Sequence, residues 1–350
     1  IGSTSSATKT NALAMGTNSS ASGISSIAFG TSSSAAGNNS LALGTQAVAS
    51  GVDSLAIGST SSATKTNALA MGTNASASGI SSIAFGTNSS AAGNNSLAVG
   101  SQSTATGVDS VAIGSVSKAL NYGSIALGAN ASSTGTNAIA IGTNTSASFN
   151  DSFLIGAGAI ANGTAAGAIG YLANTQGVDA MAVGVKACAL ANNSMALGTQ
   201  AVSSGVDSIA IGFKSSSTDT SSTAIGTQSN ASGIDSIAIG FSSSATKTNA
   251  ASIGTNATAD GINSMAFGAN ARATGTNSTA IGAQSFADQT NSFVIGPNTT
   301  ACGVNAGAIG ASANATGDSS LAIGVQSFAK QTSSLALGTN ASSIGTNSTA

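Results

Sequence analysis

The sequence of 350 residues contains no histidine, glutamate or tryptophan, and charged residues make up only 5% of it. Without glutamate, its only carboxylate side chains are those of ten aspartates. Six of these recur at a single turn position of the repeat described below, and the others share no obvious patch. Because catalysis needs clustered acid, base or nucleophile groups, the sequence predicts no enzymatic activity and no cofactor.

The scarcity of charge also restricts the partners. Eight scattered basic residues and a net charge of −2 cannot neutralise a run of phosphates, so nucleic acid is not an expected partner. No segment approaches 18 consecutive apolar residues, and we expect no direct membrane insertion of this segment. The regular aspartate ladder of calcium-binding nonapeptide repeats is missing, which argues against a metal site.

What the sequence does contain is a strict repeat. Glycine recurs at every fourteenth residue from Gly2 to Gly338 without insertion or deletion. We call the residue after each repeat glycine column 1 and the next repeat glycine column 14. The pattern predicts one continuous solenoid of 25 repeats over residues 1–350, without separate domains or linkers, cut from a longer array. Cys188 and Cys302 are eight repeats apart in it, too far for a disulfide.

The columns indicate two short strands in each repeat. Columns 11 and 13 carry bulky apolar residues, and columns 3 and 5 carry mostly Ala, Ser and Thr. Residues two apart share one face of a strand, so both pairs are expected to point into a narrow core. A coiled coil is excluded, because a glycine costs about 1 kcal/mol in a helix. The prediction is an all-β, rod-like parallel β-roll of 14-residue coils.

Two turns are expected between the strands, at the repeat glycine and at column 7, which is also glycine in most repeats. Glycine is favoured where φ must be positive. Column 9 is mainly Asn or Asp, whose side chains bond to nearby backbone in turns. Stacked coils would convert this column into a ladder of Asn and Asp side chains.

Column 12 is alanine almost throughout, although it lies between the two bulky columns and should therefore point outward. An outward face in water has no reason to reject larger polar residues, so we expect a second subunit to cover it. The predicted subunit contact runs through Ala14, Ala98, Ala112, Ala210 and Ala322.

Column 11 is interrupted by Gly167 and Gly307, each preceded one coil earlier by phenylalanine, Phe153 and Phe293. A glycine at a bulky core position would leave a void. We expect each ring to fill the space beside the following glycine, inside the roll.

The stretch Asn95-Ser96-Leu97-Ala98-Val99-Gly100 followed by Ser103 resembles the Asn-Ser-Val-Ala-Ile-Gly-x-x-Ser repeat of YadA-like heads in trimeric autotransporter adhesins. Residues 109–114 with Ser117 depart from that repeat only at their first position. The resemblance covers the whole chain. It implies a left-handed parallel β-roll, a homotrimer, and display on the surface of a Gram-negative cell, either on an outer-membrane-anchored parent or on a released fibre.

The resemblance also implies attachment to host extracellular matrix or to other surfaces, through the repeated Asn-Ser-Val-Ala-Ile-Gly-like stretches. The matching ligand-contact candidates are Asn95, Ser96, Leu97, Ala98, Val99, Gly100, Asp109, Ser110, Val111, Ala112, Ile113 and Gly114. From the columns themselves we add the outward residues that differ most from their neighbours, Lys118, Arg272, Phe286 and Phe328.

Two alternatives remain open at this point. A phage fibre or self-assembling extracellular filament would carry the same repeats. An ice-binding β-solenoid would use the Ser and Thr residues of columns 4 and 6, such as Thr104 and Thr106, but those rows are interrupted by bulky or charged side chains.

Overall fold

The computed structural model describes residues 1–350 and contains 49 β-strands and no helix. Two-residue and three-residue strands alternate along the chain, and one of each makes up a 14-residue coil. The strands belong to two compact units, Ile1–Ala173 and Asn174–Ala350.

In the unit Ile1–Ala173, the two-residue strands are the odd-numbered ones, β1 to β23. In order they are Ser6–Ala7, Ser20–Ala21, Ser34–Ala35, Val48–Ala49, Ser62–Ala63, Ser76–Ala77, Ser90–Ala91, Thr104–Ala105, Lys118–Ala119, Ser132–Ser133, Ser146–Ala147 and Ile160–Ala161. The three-residue strands, β2 to β24 by even numbers, are Leu13–Met15, Ile27–Phe29, Leu41–Leu43, Leu55–Ile57, Leu69–Met71, Ile83–Phe85, Leu97–Val99, Val111–Ile113, Ile125–Leu127, Ile139–Ile141, Phe153–Ile155 and Gly167–Ile169.

In the unit Asn174–Ala350, the two-residue strands are β25 to β49 by odd numbers. In order they are Asn174–Thr175, Cys188–Ala189, Val202–Ser203, Ser216–Ser217, Asn230–Ala231, Ser244–Ala245, Thr258–Ala259, Arg272–Ala273, Phe286–Ala287, Thr300–Ala301, Asn314–Ala315, Phe328–Ala329 and Ser342–Ser343. The three-residue strands, β26 to β48 by even numbers, are Met181–Val183, Met195–Leu197, Ile209–Ile211, Thr223–Ile225, Ile237–Ile239, Ala251–Ile253, Met265–Phe267, Thr279–Ile281, Phe293–Ile295, Gly307–Ile309, Leu321–Ile323 and Leu335–Leu337.

Within each unit, a strand pairs in parallel with the strand of the same kind in the next coil. Leu13 of β2 is the partner of Ile27 in β4, and Arg272 of β39 is the partner of Phe286 in β41. Partners are 14 residues apart, so each column of the repeat forms a row across the stacked coils. The predicted all-β parallel β-solenoid with two short strands per coil is confirmed.

The interior of each coil is filled by small residues. Columns 3, 5, 10 and 12 are buried and carry almost only Ala, Ser and Thr; Ala98 and Ala105, for example, have no exposed surface. The largest side chains that are fully buried are Leu154 and Val294, both in column 12. The two sheets therefore approach closely, and the core is about one small side chain thick on each side.

The predicted orientation of the three-residue strand is wrong. Column 12 points into the coil, whereas columns 11 and 13 point outward: Ala112 is fully buried, and Ile113 is 39% exposed. Alanine predominates in column 12 because the facing sheet leaves little room for a larger side chain, and no second subunit is needed to explain it. The inward orientation of columns 3 and 5 is as predicted.

Many of the buried serines form hydrogen bonds with the turns. The Ser26 hydroxyl donates a hydrogen bond of 2.8 Å to the Gly23 carbonyl, from column 10 to column 7. The Ser33 hydroxyl in column 3 donates one of 2.9 Å to the carbonyl of the repeat glycine Gly30. A buried hydroxyl is costly unless it is bonded. Serine thus fills the core and satisfies a turn carbonyl at once.

Glycine is preferred in columns 14 and 7 for different physical reasons. The repeat glycines of column 14 have φ between 119° and 143°, a region that side chains rarely adopt. Gly23 in column 7 does not have a positive φ, contrary to expectation. It is glycine because an added Cβ would lie 2.0 Å from the carbonyl oxygen of Gly37 in the next coil.

Columns 2 and 9 adopt the left-handed conformation in almost every coil, with φ between 52° and 60° at the non-glycine residues. Asn and Asp tolerate this region better than most residues. The predicted ladder in column 9 is confirmed in several coils. Asn249, Asn263, Asn277, Asn291 and Asn305 form consecutive side-chain hydrogen bonds of 2.9, 3.0, 3.1 and 2.9 Å.

Candidate interaction faces

The outer side of the three-residue strands forms an apolar face in each unit, made of columns 11 and 13. Ile237 is 39% exposed, Ile295 45% and Leu337 50%. Neither column contains a charged residue anywhere in the sequence. A soluble protein rarely leaves so long a row of bulky apolar side chains in water, so this face has the character of an interface.

The extent of the face supports this interpretation. Each unit has twelve three-residue strands, and each strand contributes two side chains to the face, except the one in each unit that begins with Gly167 or Gly307 and contributes one. If each of these leaves roughly 60 Å² exposed, one unit presents on the order of 1,400 Å², compared with about 800 Å² per partner in a standard interface.

The five alanines predicted to contact a second subunit lie elsewhere. Ala98, Ala112, Ala210 and Ala322 are completely buried within their own chain, and Ala14 is 4% exposed. They cannot form an intersubunit surface, because the facing sheet of the same coil already covers them. The residues that could do so are their neighbours on either side in the strand.

The predicted contact between a phenylalanine and the following glycine is present at Phe293, but on the outer face. A Cβ added to Gly307 would lie 2.4 Å from Cε1 and Cζ of Phe293 and 2.9 Å from Cδ1 of Leu321. The Phe293 ring therefore lies over the backbone of Gly307, which is buried. Gly167 is also buried and is the strand partner of Phe153. The expectation that these rings fill the inside of the roll is wrong.

The stretches 95–100 and 109–114 do not form one surface. Their residues divide among the interior (Ser96, Ala98, Ser110 and Ala112), the apolar face (Leu97, Val99, Val111 and Ile113) and the turns (Asn95, Gly100, Asp109 and Gly114). Among the turn residues, the Asn95 side chain donates a hydrogen bond of 3.0 Å to the Asp109 carboxylate.

The outer side of the two-residue strands, which we call the thin-strand face, carries columns 4 and 6. Lys118 and Arg272 are exposed there, and Phe286 and Phe328 are half-buried. The Arg272 guanidinium carbon lies 5.1 Å from the centroid of the Phe286 ring in the next coil. This distance is within the range of a cation–π interaction.

Polar groups lie beside this pair. The Thr274 hydroxyl, in the same coil as Arg272, donates a hydrogen bond of 2.8 Å to the Asp288 carboxylate. Cys302 follows in the next coil, and burial together with the Asp288 carboxylate raises the pKa of its thiol. Residues 272–302 of columns 4 and 6 thus combine a cation, an aromatic ring and an anion.

Cys188 and Cys302 are both free thiols. Burial raises the pKa of Cys188 as well. No group of three or more Cys and Asp side chains lies close enough together to hold a metal ion. None of the structure's elements is a helix of the length and apolar character that a membrane span requires.

A further exposed row was missed by the sequence analysis. Over residues 10–108 and 178–276, column 8 alternates between aliphatic residues and Asn or Thr. Its aliphatic members are exposed; Ile24 and Ile80, for example, are both 48% exposed. In several coils the polar residue of the next coil accepts the backbone N–H of column 8, as Asn38 does from Ile24 at 3.0 Å. A search for a 28-residue period would have revealed this row.

These observations define a parallel β-solenoid with a narrow small-residue core and a predominantly apolar outer face in each unit. A family model, the YadA head domain repeat in two copies, matches most of the chain. The matched residues are 1–19, 21–47, 49–75, 77–103, 105–131, 133–159, 189–215, 218–243, 245–271, 273–299, 302–327 and 329–350. The chain belongs to this family of adhesin head repeats, and the resemblance noted in the sequence is confirmed.

Among solved structures, the chain is similar to the collagen-binding domain of the Yersinia adhesin YadA. The two are 30% identical, over 51% of this chain and 68% of that one, with a TM-score of 0.16. A comparison with curated proteins gives no match.

Proposed function

We propose that this chain is an adhesive, non-enzymatic segment of a cell-surface protein, and that it works as a homotrimer joined through the apolar faces. The observation that carries the proposal is the outward orientation of columns 11 and 13, as at Ile237 and Ile295. Burying these side chains against other copies removes apolar surface from water at about 25 cal/mol per Å². The number of three copies is taken from the family resemblance.

Self-association in this manner leaves the thin-strand face for ligands. That face carries three of the features that are most common in binding sites, namely an arginine, half-buried aromatic rings and hydrogen-bonding groups. Arg272 and Phe286 are adjacent on it, with Asp288 beside them. We assign ligand contact to this face, with extracellular matrix as the ligand class, because a relative of the chain is a collagen-binding domain.

Location outside the cell agrees with the composition. Solubility here depends on hydroxyl and amide side chains, with charged residues at only 5%. We place the chain at the cell surface, as part of an anchored parent protein or a released fibre.

The experiment is binding of the chain to immobilised collagen and fibronectin, measured by biolayer interferometry. The test variant is Arg272→Ser with Phe286→Ser, which introduces the residue most common in column 4. The matched control is Thr258→Ser with Thr300→Ser in the flanking coils of the same face. We expect the test variant to lose at least five-fold in affinity and the control to lose none. Equal binding by both, or no binding to either matrix protein, would contradict the proposed ligand face.

A further inference from the structure

The apolar face poses a problem of alignment for any assembly of identical copies. Its two columns repeat every 14 residues, and most levels carry an interchangeable Ile, Leu, Val or Met. Two such faces could pack nearly as well after sliding by one or more coils, because each side chain would meet another of similar size. Periodic interfaces specify their register only where the pattern is broken.

The clearest break lies at Phe293 and Gly307. The Phe293 ring lies over Gly307, so one ring covers the column-11 positions of two successive coils. The residue one coil before Phe293 is Thr279, which is also small for this column. Along column 11 the side chains are therefore small at Thr279, large at Phe293 and absent at Gly307, and an aliphatic side chain follows at Leu321.

The other unit also has a phenylalanine whose strand partner in the next coil is a glycine, namely Phe153 and Gly167, ten repeats of 14 residues earlier. We call each of these two pairs a phenylalanine–glycine step. In both steps the column-12 residue beside the phenylalanine is enlarged, to Leu154 and Val294, the two largest fully buried side chains of the chain. In both, column 10 of the next coil is alanine, at Ala166 and Ala306, where serine is commoner. Four positions thus change together twice, which distinguishes the steps from isolated surface variation.

We infer that the two phenylalanine–glycine steps determine the register between two copies of this chain. They align each coil of one copy with the same coil of the other. This inference rests on the self-association proposed above. When copies are level, the rings of all copies meet at one height, next to the space that their glycines leave. After a slide of two coils, a ring is level with a full-sized Leu, Ile or Met of the other copy, and the space left by each glycine no longer adjoins that copy's ring. Both mismatches disfavour the shifted assembly.

The test uses disulfide cross-linking in the full chain with Cys188→Ser and Cys302→Ser. Two reporter chains, one with Ile211→Cys and one with Ile239→Cys, are unfolded together, refolded as a mixture and oxidised. The reporters are two coils apart in column 13, so about 9.6 Å separates their levels, more than the roughly 7 Å between Cα atoms that a disulfide spans. A bond between positions 211 and 239 therefore reports a shift.

The variant removes both steps, with Phe153→Ile, Gly167→Ile, Phe293→Ile and Gly307→Ile. Isoleucine is found in column 11 at many other levels, and neither glycine has a positive φ, so the coils should fold. Two further variants replace the phenylalanine and glycine of only one step each, and so remove half of the proposed register sites. The control is Met195→Ile with Leu335→Ile, which alters two ordinary levels of the same column.

We expect the starting chain and the control to form cross-links between identical positions only. Removing both steps should raise the 211–239 product at least five-fold, and removing one step should give an intermediate yield. Mixed cross-links in the starting chain, or none in the variant without steps, would overturn the inference while leaving self-association intact. Absence of cross-links even between identical positions would overturn the proposed self-association, and the register sites with it.

Discussion

The Ser110 hydroxyl donates a hydrogen bond of 2.7 Å to the backbone carbonyl of Gly107, inside the coil. This contact joins a strand to a turn through one of the smallest polar side chains, and it recurs between columns 10 and 7 in many coils. Ser110→Ala should therefore destabilise the chain by about 1 kcal/mol, and Ser110→Val by more, because valine also exceeds the available space. Denaturant unfolding followed by circular dichroism measures both. Unchanged stability of the valine variant would contradict the tight packing described.

Column 12 gives a second prediction. Ala112 has no exposed surface within the single chain, whereas Thr106 in column 6 is exposed. Ala112→Gln should lower the free energy of unfolding by about 2 to 4 kcal/mol, through overpacking and a buried amide. Thr106→Gln, the matched control, should change it by less than about 1 kcal/mol. If both variants fold equally well and only assembly suffers at Ala112, column 12 would be an intersubunit surface after all.

The orientation of column 12 also marks the limit of the sequence analysis. The spacing establishes that columns 11 and 13 share one face and that column 12 lies on the other, as at Val111, Ala112 and Ile113. It does not establish which face is internal, because that depends on the distance between the two sheets. Two-residue strands and tight turns bring the sheets so close that nearly all interior residues are Ala, Ser or Thr. This is a consequence of the closed coil that no single strand reveals.

Other features follow directly from residue chemistry. The repeat length, the two strands, the positive φ of glycines such as Gly16 and the ladder through Asn277 were all predictable, because each depends on one column and its identical neighbour. The Phe293–Gly307 contact was predictable as a pair, but its position on the outer face was not, since it follows from the same sheet spacing. Arg272 and Phe286 could be identified from the sequence only as two residues unusual for their column. Their contact could be predicted only once the strand register was known.

At Ser252, unlike at Ser110 and Ala112, a substitution is expected to raise the free energy of unfolding. Ser252 occupies column 12, is fully buried, and its hydroxyl has no hydrogen-bond partner. An unsatisfied buried hydroxyl costs about 1 to 3 kcal/mol, so Ser252→Ala should stabilise the chain by about 1 kcal/mol or more. The control is Ser264→Ala, since the Ser264 hydroxyl accepts a bond of 3.1 Å from the Gly261 amide. That variant should be destabilised. Loss of stability in Ser252→Ala would show that its hydroxyl is bonded.

The asparagine ladder can be tested at its middle. Asn277 has φ of 55°, accepts a hydrogen bond of 3.0 Å from Asn263 and donates one of 3.1 Å to Asn291. Asn277→Ala should cost about 1 to 2 kcal/mol, because it removes both bonds and leaves a side chain that disfavours this conformation. Asn277→Gly should cost less, since glycine adopts positive φ readily. Thermal unfolding of the two variants compares them, and equal losses would show that the backbone conformation contributes little.

The central claim is that columns 11 and 13, as at Ile237 and Ile295, face other copies of this chain. It is tested most directly by the mass of the assembled protein at micromolar concentration, from sedimentation equilibrium. The account predicts a single species of about 98 kDa, three times the 32.6 kDa chain, that dissociates when Ile237→Asp and Ile295→Asp are introduced. A folded, stable species of 32.6 kDa would contradict it.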